Sequence, residues 1–410
     1  MKFWTDKRVV LLVSGGIAAY RSLDIIRLFR EQGAVVTVAA TDSALEFVTP
    51  LSFQALSGEP IHNSLSNPTT PDGMDHIHLA RQADLFVIAP ATANLLAKMA
   101  AGLADDLVST LLLAFDGPVL VAPAMNTNMW NHPATRRNVT QLKADGCHFV
   151  GPAKGLLACG EEGAGRLAPV DEIVEEARTI LTPKSLAGRR LLITAGPTHE
   201  ALDPVRFIAN SSSGKMGWSL CRAARRAGAD VVLVHGPVSL PSIPGVESHP
   251  VTSAQEMFET TLSLWHQSKD RPGCDGAILT AAVGDYRPVT PQTDKIKKNP
   301  DQTEISLTLT TNPDILATLA SQGAGKVVVG FAAETGDALN RGVEKMARKG
   351  CDLLVINDLL EPGAGFGTDT NRVTLLNRKG EMTPWPLLSK EEVGEQLIQT
   401  VATLIQERAK

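Results

Sequence analysis

The sequence is poor in the residues that build disulfide frameworks, zinc sites and base-stacking surfaces. Five of its 410 residues are cysteines, and aromatic residues make up 4%. The cysteines are odd in number, scattered and without a Cys-x-x-Cys pair, which indicates a reducing compartment and argues against a zinc site. So few aromatic side chains also argue against a surface that stacks on bases.

The sequence also has little net charge and no long apolar segment near its start. The formal net charge of -5 disfavours a nucleic-acid surface. The apolar run Val9–Val13 is followed at once by Ser-Gly-Gly, and it is too short for a signal peptide or a membrane span. Hydrophobic residues make up 43% and charged residues 20%, as in globular proteins. We therefore expect a cytoplasmic protein of two or three domains, with neither a nucleic-acid nor a membrane partner.

The first half opens with a strand–helix–strand pattern. Val9–Val13 is a continuous apolar run, typical of a strand buried on both faces, and Ala34–Ala40 is the next strand. Ser14–Gly16 and a helical pattern lie between them, so the order predicts a parallel sheet covered by helices. The loop lacks the Gly-x-Gly-x-x-Gly pattern, and Thr41 stands where an acidic residue would bind a ribose. Both features disfavour a dinucleotide and favour a flavin phosphate; a plain doubly wound sheet is the alternative.

Polar residues follow two further predicted strands at the point where each strand ends. Leu85–Ala89 leads into Pro90–Asn94, and Val119–Val121 leads into Ala122–Asn126. The two ends have similar sequences, IAPATAN and VAPAMN, so we expect them to lie side by side where open α/β sheets bind ligands. His76 opens a helix-like segment before them. A lone His or Asn in such a place is usually structural, whereas several such signals together favour a site.

The stretch Cys159–Arg166 breaks the pattern, because it is rich in glycine and has no apolar period. It is interpreted as a mobile flap. A cysteine on such a flap is exposed and can exchange protons. The alternative is an incidental loop thiol.

Together these motifs resemble the flavin-dependent cysteine decarboxylases, most of all the phosphopantothenoylcysteine decarboxylases, over residues 7–180. The matching motifs are SGGIAAY, the pair His76-Ile77, APATANL, PAMN and ACGxxGxGR. The resemblance implies a flavodoxin-like flavoprotein domain over residues 1–183, with FMN as cofactor. It makes His76 a catalytic residue, Asn126 a substrate-binding residue and Cys159 the proton donor. The residues that it places near the flavin are Ser14, Gly15, Thr41, Pro90, Ala91, Thr92, Asn94 and Ser109.

The second half begins after Pro183–Gly188, which is interpreted as a linker or an edge. The apolar strand Leu191–Thr194 is followed by the small-residue turn Ser211–Gly214 and a helical pattern. The start of a helix after such a turn favours an anion, since its free N–H groups and its dipole both attract negative charge. Arg206 and Asn210 lie between the strand and the helix, where they could face the anion. An ordinary connection with a surface arginine is the alternative.

Acidic and basic residues recur later in this half. Asp285 comes directly after the predicted strand Gly276–Thr280, where a carboxylate can hold a metal or a ribose. Lys295–Lys298 has three cations in four residues, and such an arm after a nucleotide site neutralises phosphates. Lys345 and Lys349 lie four residues apart and therefore share one helix face. For all of these lysines a solvated surface is the alternative.

The second half resembles the phosphopantothenate–cysteine ligases over residues 189–405. The matching blocks are ITAGPTHEALDPVRFIANSSSGKMG, AAVGDYRP, KIKK, NPDIL, VGFAAET and GFGTDTNRV; Gly284 departs from the alanine that is usual there. The resemblance implies a ligase domain over residues 189–410 that uses CTP with Mg²⁺ or Mn²⁺, and Arg206 and Asn210 act on the acyl cytidylate. The CTP site that it implies consists of Asp285, Lys295, Asn312, Pro313, Asp314, Ile315, Leu316, Phe331, Lys345 and Lys349. It assigns no metal ligands.

The order of the two halves resembles the fused bifunctional enzymes of coenzyme A synthesis. We therefore predict an α/β protein with two doubly wound, Rossmann-like domains, acting on 4'-phosphopantothenate, cysteine and CTP. The resemblance implies a homo-oligomer, with decarboxylase trimers in a larger shell and ligase dimers. A flavin-binding regulatory protein of the same fold is one alternative, and a nicotinamide-dependent dehydrogenase is another.

Overall fold

The computed structural model of the chain describes residues 3–65, 74–157, 160–267, 272–297, 304–334, 337–358 and 367–408. The chain divides into two compact units, Met1–Thr182 and Pro183–Lys410. Each unit has its own sheet and its own hydrophobic core.

The first unit is built on a five-stranded parallel sheet with the strand order β2-β1-β3-β4-β5. Its strands are β1 Arg8–Val13, β2 Val35–Ala40, β3 Leu85–Ala91, β4 Val119–Pro123 and β5 His148–Phe149, and a hairpin adds β6 Ala153–Leu156 and β7 Glu162–Arg166. Its helices are α1 Arg21–Glu31, α2 Asp42–Leu45, α3 Pro50–Ser57, α4 Asp75–Gln82, α5 Ala93–Ala101, α6 Leu107–Ala114, α7 Thr127–Asn131, α8 Pro133–Ala144 and α9 Val170–Leu181, after the 3₁₀ helix Ile17–Tyr20.

Successive residues of β1 enter two different cores, because side chains alternate between the faces of a strand. Leu11 packs with Ile25 and Phe29 of α1 in one core. Leu12 packs with Phe86 and with Leu96 of α5 in the other core. Both faces of the sheet are therefore covered by helices, and the continuous apolar run of β1 has this cause.

The glycine-rich stretch that is interpreted as a mobile flap contains one strand of a hairpin. Strand β7 pairs with β6 in antiparallel fashion, from Ala153 opposite Arg166 to Leu156 opposite Glu162. Residues 162–166 are therefore regular structure, and the mobility of the stretch stays a prediction. Cys159 lies outside the described residues.

The second unit is built on an eight-stranded sheet with the order β12-β11-β8-β13-β16-β17-β19-β20. Its strands are β8 Arg190–Ala195, β9 His199–Ala201, β10 Phe207–Ala209, β11 Asp230–His235, β12 Glu247–Pro250, β13 Gly276–Leu279, β14 Tyr286–Pro288, β15 Leu309–Thr311, β16 Val327–Glu334, β17 Leu353–Asp358, β18 Thr370–Asn371, β19 Val373–Asn377, β20 Met382–Pro384 and β21 Leu388–Ser389. Its helices are α10 Lys215–Arg226, α11 Ala254–Trp265, α12 Ile315–Gln322, α13 Ala338–Lys349 and α14 Lys390–Arg408.

Six strands of this sheet are parallel, β19 pairs antiparallel with β17, and β20 pairs antiparallel with β19. In chain order the parallel strands follow the 3-2-1-4-5-6 arrangement of doubly wound folds. The order reverses between β8 and β13, which are adjacent. The predicted fold class is confirmed in both units, and this reversal defines where a crevice opens at the carboxyl edge of the sheet.

One segment of this unit differs from its prediction, and another forms the edge of the sheet. The segment predicted as a linker or an edge packs into the second unit, because Leu186 is fully buried and its N–H donates to the carbonyl of Ala227 at 2.9 Å. The proline-rich stretch after β11 ends in strand β12, which pairs in parallel with β11 at the sheet edge. Proline is tolerated at an edge because no further strand needs its missing N–H.

Candidate active sites

Ser14 joins the ends of β1 and β3 in the first unit. Its buried hydroxyl donates to the carbonyl of Pro90 at 2.7 Å and accepts from the N–H of Thr92 at 3.0 Å. The strand order of this sheet reverses between β1 and β3. In flavodoxin-like sheets of the order 2-1-3-4-5, a flavin mononucleotide binds at this reversal. Ser14 therefore stands where a ligand of that kind would be held.

The loops after β1, β2 and β3 meet around Ser14. A Cβ on Gly15 would lie 2.4 Å from Oγ of Ser43, so the first two loops approach too closely for a side chain at that position. Thr41 caps α2 by accepting from Ala44 at 3.3 Å. Thr92 caps α5 in the same way, accepting from Leu95 at 3.3 Å. Hydroxyls and helix starts thus surround the edge of the sheet.

Some of the remaining predicted flavin residues lie at this edge of the sheet, and others lie at the N-terminus of a helix. Ala91 pairs with Pro123, so the two similar strand ends do lie side by side, as predicted. Asn94 is exposed near the start of α5. Ser109 is buried, and it forms a reciprocal cap with Asp106, in which Asp106 accepts from the Ser109 N–H at 2.7 Å.

Asn126 follows β4 and faces the hairpin. Its Oδ1 accepts from the N–H of Asn128 at 2.7 Å, and its Nδ2 donates to Oε2 of Glu161 at 2.8 Å. The backbone N–H of Met125 donates to the carbonyl of Gly165 at 2.9 Å. Gly165 has φ +153°, and a Cβ there would lie 2.1 Å from the carbonyl oxygen of Met125. Glycine is therefore required so that the hairpin can lie directly on the segment that carries Asn126.

The two other predicted residues of this site are placed less fully. His76 is the second residue of α4 and is half-buried. Cys159 is outside the described residues, but the chain on either side of it is fixed, since Gly160 N–H donates to the Leu157 carbonyl at 2.9 Å. Strand β7, which follows Gly160 in the chain, is packed against the segment that carries Asn126.

In the second unit a cleft of about 540 Å³ opens at the reversal between β8 and β13. One wall is the turn Asn210–Gly214 with the start of α10, and the opposite wall includes Thr280–Val283 and Asp285. Phe331 and Lys345 also line it. Gly214 caps α10 with φ +74°, a left-handed conformation that glycine adopts without strain.

Of the predicted ligase residues, the structure brings four together in this cleft and leaves the others beside it. Asn210, Asp285, Phe331 and Lys345 line the cleft. The predicted residues that are not among its lining residues are Arg206, Lys295, Asn312, Pro313, Asp314, Ile315, Leu316 and Lys349.

Lys345 is a half-buried lysine of the cleft that is only loosely paired. Burial lowers its pKa, and the carboxylates of Glu334 and Asp285 only partly offset that effect. The Lys345 ammonium lies 3.8 Å from Glu334, a loose ion pair. Lys349, one turn further along α13, forms an ion pair with Asp314. An anion entering the cleft would therefore gain more from Lys345 than from Lys349.

Asn312 and Asp314 stabilise backbone next to the cleft. Nδ2 of Asn312 donates to the Gly284 carbonyl at 2.8 Å, and its backbone N–H donates to the Asp285 carbonyl at 2.8 Å. Asp314 caps α12 by accepting from Ala317 at 3.0 Å. The nearest neighbour of a Cβ at Gly284 would be 3.5 Å away, so the alanine usual at this position would fit and its absence does not reshape the turn.

Two lysines of the cleft were missed by the sequence analysis. Lys215 is the first residue of α10 and pairs with Asp369 at 2.7 Å. Lys390 is buried, it donates to the carbonyl of Thr368, and burial together with the charge of Lys215 lowers its pKa. The position of Lys215 directly after the glycine turn was a usable signal. Nothing local marks Lys390, which opens a long helix.

Asp203 is a third residue that the sequence analysis missed. It bonds to the two segments that carry the predicted cations Arg206 and Lys295. Burial alone would raise the pKa of its carboxyl, but the N–H groups of Ile296, Val205 and Arg206 and the charge of Arg206 hold that pKa below its usual range. The signal in the sequence was the pair Asp203-Pro204, which usually marks only a turn.

Neither a metal cluster nor a membrane span is found in the described parts of the chain. No three His, Cys, Asp or Glu side chains there could hold a metal ion together. No helix among the described residues is long and apolar enough to cross a bilayer. Mg²⁺ is commonly bound through one or two carboxylates plus substrate phosphates, so a ready-made cluster is not needed.

Comparison with known proteins decides the family. The flavoprotein family model matches residues 4–182, and the model of the DNA/pantothenate metabolism flavoprotein C-terminal domain matches residues 186–405. The coenzyme A biosynthesis bifunctional protein CoaBC of Vibrio vulnificus is 44% identical over 99% of this chain and 100% of its own length. The chain belongs to the CoaBC family. The CoaBC protein of Escherichia coli is likewise 44% identical, over 98% of each chain.

Membership of the CoaBC family makes the chain a bifunctional enzyme of coenzyme A biosynthesis. The flavoprotein unit has the decarboxylase activity and the second unit the ligase activity. The predicted family is confirmed, and both alternatives, a regulatory flavoprotein and a nicotinamide-dependent dehydrogenase, are set aside. A solved structure of the C-terminal domain of CoaBC is 34% identical in sequence and has a TM-score of 0.46. The match includes 55% of this chain and 99% of the solved chain.

Proposed function

We propose that the second unit joins cysteine to 4'-phosphopantothenate at the expense of CTP, and that the first unit decarboxylates the product to 4'-phosphopantetheine with FMN. The observation that carries the proposal is the match to CoaBC proteins along 99% of the chain, which includes both units. The chemistry of each site is consistent with it.

Ligation must first activate a carboxylate, because a carboxylate at neutral pH is a poor acylating agent. Attack of the carboxylate on the α-phosphate of CTP forms an acyl cytidylate and expels pyrophosphate. The amine of cysteine then attacks the acyl carbon, CMP leaves, and the amide is formed. The first step concentrates negative charge, so it requires cations in the cleft.

The residues around the cleft can supply these functions. Lys345, Lys349 and Lys295 neutralise the triphosphate, and Mg²⁺ or Mn²⁺ supplies further charge neutralisation when bound. Asp285 is the carboxylate of the cleft that would hold the metal or the ribose. Phe331 lies against the nucleotide, next to the segment that runs from Asn312 through Pro313, Asp314 and Ile315 to Leu316. Asn210 and Arg206 act on the acyl cytidylate.

The residues at the carboxyl edge of the first sheet fit FMN. The edge at the reversal of strand order leaves no room for a side chain at Gly15 and carries the hydroxyls of Ser14, Thr41 and Thr92. The starts of α2 and α5, which Thr41 and Thr92 cap, lie at the same edge and favour a phosphate. Pro90, Ala91, Asn94 and Ser109 complete the proposed set. When bound, FMN supplies the oxidation of the thiol-bearing carbon and the later return of hydride.

The residues of the first unit then handle the carboxylate and the protons. Asn126 binds the carboxylate that leaves as CO₂, and His76 orients or deprotonates the substrate thiol. Cys159 donates the proton that the enethiolate takes up after CO₂ has left. The hairpin packs on Met125, next to Asn126, where it would shield the reacting groups from water.

We further propose a cytoplasmic homo-oligomer, with trimers formed by the first unit and dimers formed by the second. The resemblance to fused enzymes of this kind supports that assembly. Sedimentation of the purified protein tests it, since a monomer at micromolar concentration would contradict it.

The ligase assignment is tested by giving the purified protein 4'-phosphopantothenate, cysteine and one nucleotide at a time. We expect CTP to yield CMP, pyrophosphate and 4'-phosphopantetheine by mass spectrometry, and ATP to yield far less. Flavin absorbance of the same protein tests the cofactor. Absence of flavin, or absence of any amide product with CTP, would contradict the proposal.

A further inference from the structure

The cations Arg206 and Lys295 lie outside the cleft lining, about 90 residues apart in the chain. The buried carboxylate of Asp203 joins the two segments that carry them. Arg206 ends a turn before β10, and Lys295 lies in the arm between β14 and β15. Asp203 bonds to both segments. Its side chain is fully buried, although Arg206 and Lys295 are both exposed.

Both oxygens of Asp203 are used, and each serves a different segment. Oδ1 accepts from the backbone N–H groups of Val205 and Arg206, each at 2.8 Å, which closes its own turn. Oδ2 accepts from the backbone N–H of Ile296 at 3.0 Å, the residue directly after Lys295. The Arg206 guanidinium also lies 3.5 Å from Oδ2.

A second bond fixes the register of the two segments. The N–H of Gln292 donates to the carbonyl of Leu202 at 2.9 Å. With the bond from Ile296 to Asp203, the arm is therefore held at two points four residues apart. Lys295 lies between those points, so its backbone position relative to Arg206 is fixed before any ligand arrives.

We propose that Asp203 is a positioning residue of the ligase, which holds the arm so that Lys295 and Arg206 meet the same nucleotide-derived anion. This inference rests on the proposed function, in which Lys295 contacts CTP and Arg206 the acyl cytidylate. Two exposed cations with long side chains gain little from an anion unless their backbones are fixed, because ordering them costs conformational entropy. The buried carboxylate provides that order without occupying the cleft.

The variant Asp203→Asn tests this arrangement with little change of volume. The amide oxygen can still accept from Val205 and Arg206, whereas the amide nitrogen would face the N–H of Ile296, and two donors cannot bond. Asp294→Asn is the matched control, since Asp294 is an exposed acidic residue of the same arm. It loses the same charge but not the anchor.

Two measurements on the full-length protein give the result. Hydrogen–deuterium exchange without substrates should rise severalfold in the peptide covering Gln292–Lys297 in Asp203→Asn and not in Asp294→Asn. In the ligase assay the KM for CTP should rise about tenfold, the equivalent of one charge-assisted hydrogen bond, with kcat changed far less. Decarboxylation of supplied phosphopantothenoylcysteine should not change.

The other outcomes overturn the proposal in distinguishable ways. Unchanged exchange in Asp203→Asn would show that Asp203 does not anchor the arm. Increased exchange with an unchanged KM for CTP would show that Asp203 anchors the arm but that the anchored arm does not contribute to CTP binding. If Asp203→Asn does not fold, exchange in the unmodified protein decides: rapid exchange across Gln292–Lys297 would refute the anchor. Failure of the proposed function itself would appear as absent CTP turnover in the unmodified enzyme.

Discussion

The side-chain amide of Asn210 donates a hydrogen bond to the carbonyl oxygen of Val283 at 2.9 Å. Asn210 belongs to the turn before α10, and Val283 follows β13, so the bond ties together the two walls of the cleft at the reversal of strand order. The orientation of Asn210 is therefore set by the main chain of the opposite wall, before substrates bind.

We predict that Asn210→Asp strongly slows ligation and leaves decarboxylation intact. A carboxylate cannot donate to the Val283 carbonyl, and it brings negative charge into a cleft that must accept anionic substrates. The loss should be about a hundredfold, or roughly 3 kcal/mol. Rapid-quench mass spectrometry of phosphopantothenoylcysteine formation measures it. Formation of that product at the normal rate would remove Asn210 from the mechanism.

Lys295→Gln should weaken ligation far more than Lys297→Gln, although both remove one positive charge from the same arm. Only Lys295 precedes the residue whose N–H bonds to Asp203. Loss of a charge-assisted contact costs about 1.5–3 kcal/mol, and kcat/KM for CTP reports it. The same difference is predicted against Lys298→Gln, a position outside the described residues. Equal and small effects at all three lysines would indicate a solvated charge run.

Gly165→Ala should disrupt the decarboxylase, since a Cβ there would lie 2.1 Å from the Met125 carbonyl oxygen. Gly146→Ala is the matched control, because Gly146 also has positive φ but its Cβ would meet nothing within 4 Å. Both substitutions strain the backbone, and only Gly165→Ala adds a steric clash. We expect Gly165→Ala to lower the free energy of unfolding by a total on the order of 3 kcal/mol. Thermal unfolding and decarboxylation rate are the readouts. Equal behaviour of the two variants would contradict the close packing of the hairpin.

The strands and the position of each crevice were predictable from the sequence, whereas the contacts between distant segments were not. β1 and β8 are continuous apolar runs, and such runs follow from burial on both faces. Strand β7 has no such run because Gly165 lies against Met125 and Gly163 lies against Thr127, too close for side chains at either glycine. That cause lies in tertiary packing, which an isolated stretch of sequence does not record.

The candidate ligase site shows the same division. Asn210 and Lys345, which the motifs assign to the ligase site, line the same cleft at the carboxyl edge of the sheet. The motifs did not indicate that Lys295 and Arg206 would lie outside the cleft lining, joined through Asp203. A hydrogen bond between residues 93 positions apart leaves no local pattern.

Cys159→Ser should stall the decarboxylase after CO₂ loss. A serine hydroxyl is a far weaker acid than a thiol with an ordinary pKa of about 8.5, so the enethiolate would not be protonated. Flavin absorbance in an anaerobic single turnover should show the flavin remaining reduced, while ligation proceeds normally. Normal reoxidation of the flavin, with 4'-phosphopantetheine as product, would indicate that Cys159 is an incidental loop thiol.

The most direct test of the account follows the carboxyl carbon of cysteine through both units. The purified enzyme is given 4'-phosphopantothenate, CTP, Mg²⁺ and cysteine labelled with carbon-13 in its carboxyl group, and the products are weighed by mass spectrometry. The account predicts labelled phosphopantothenoylcysteine as a transient, then unlabelled 4'-phosphopantetheine and labelled CO₂. No labelled amide, or a final product that retains the label, would contradict the claim that one chain performs ligation and then decarboxylation.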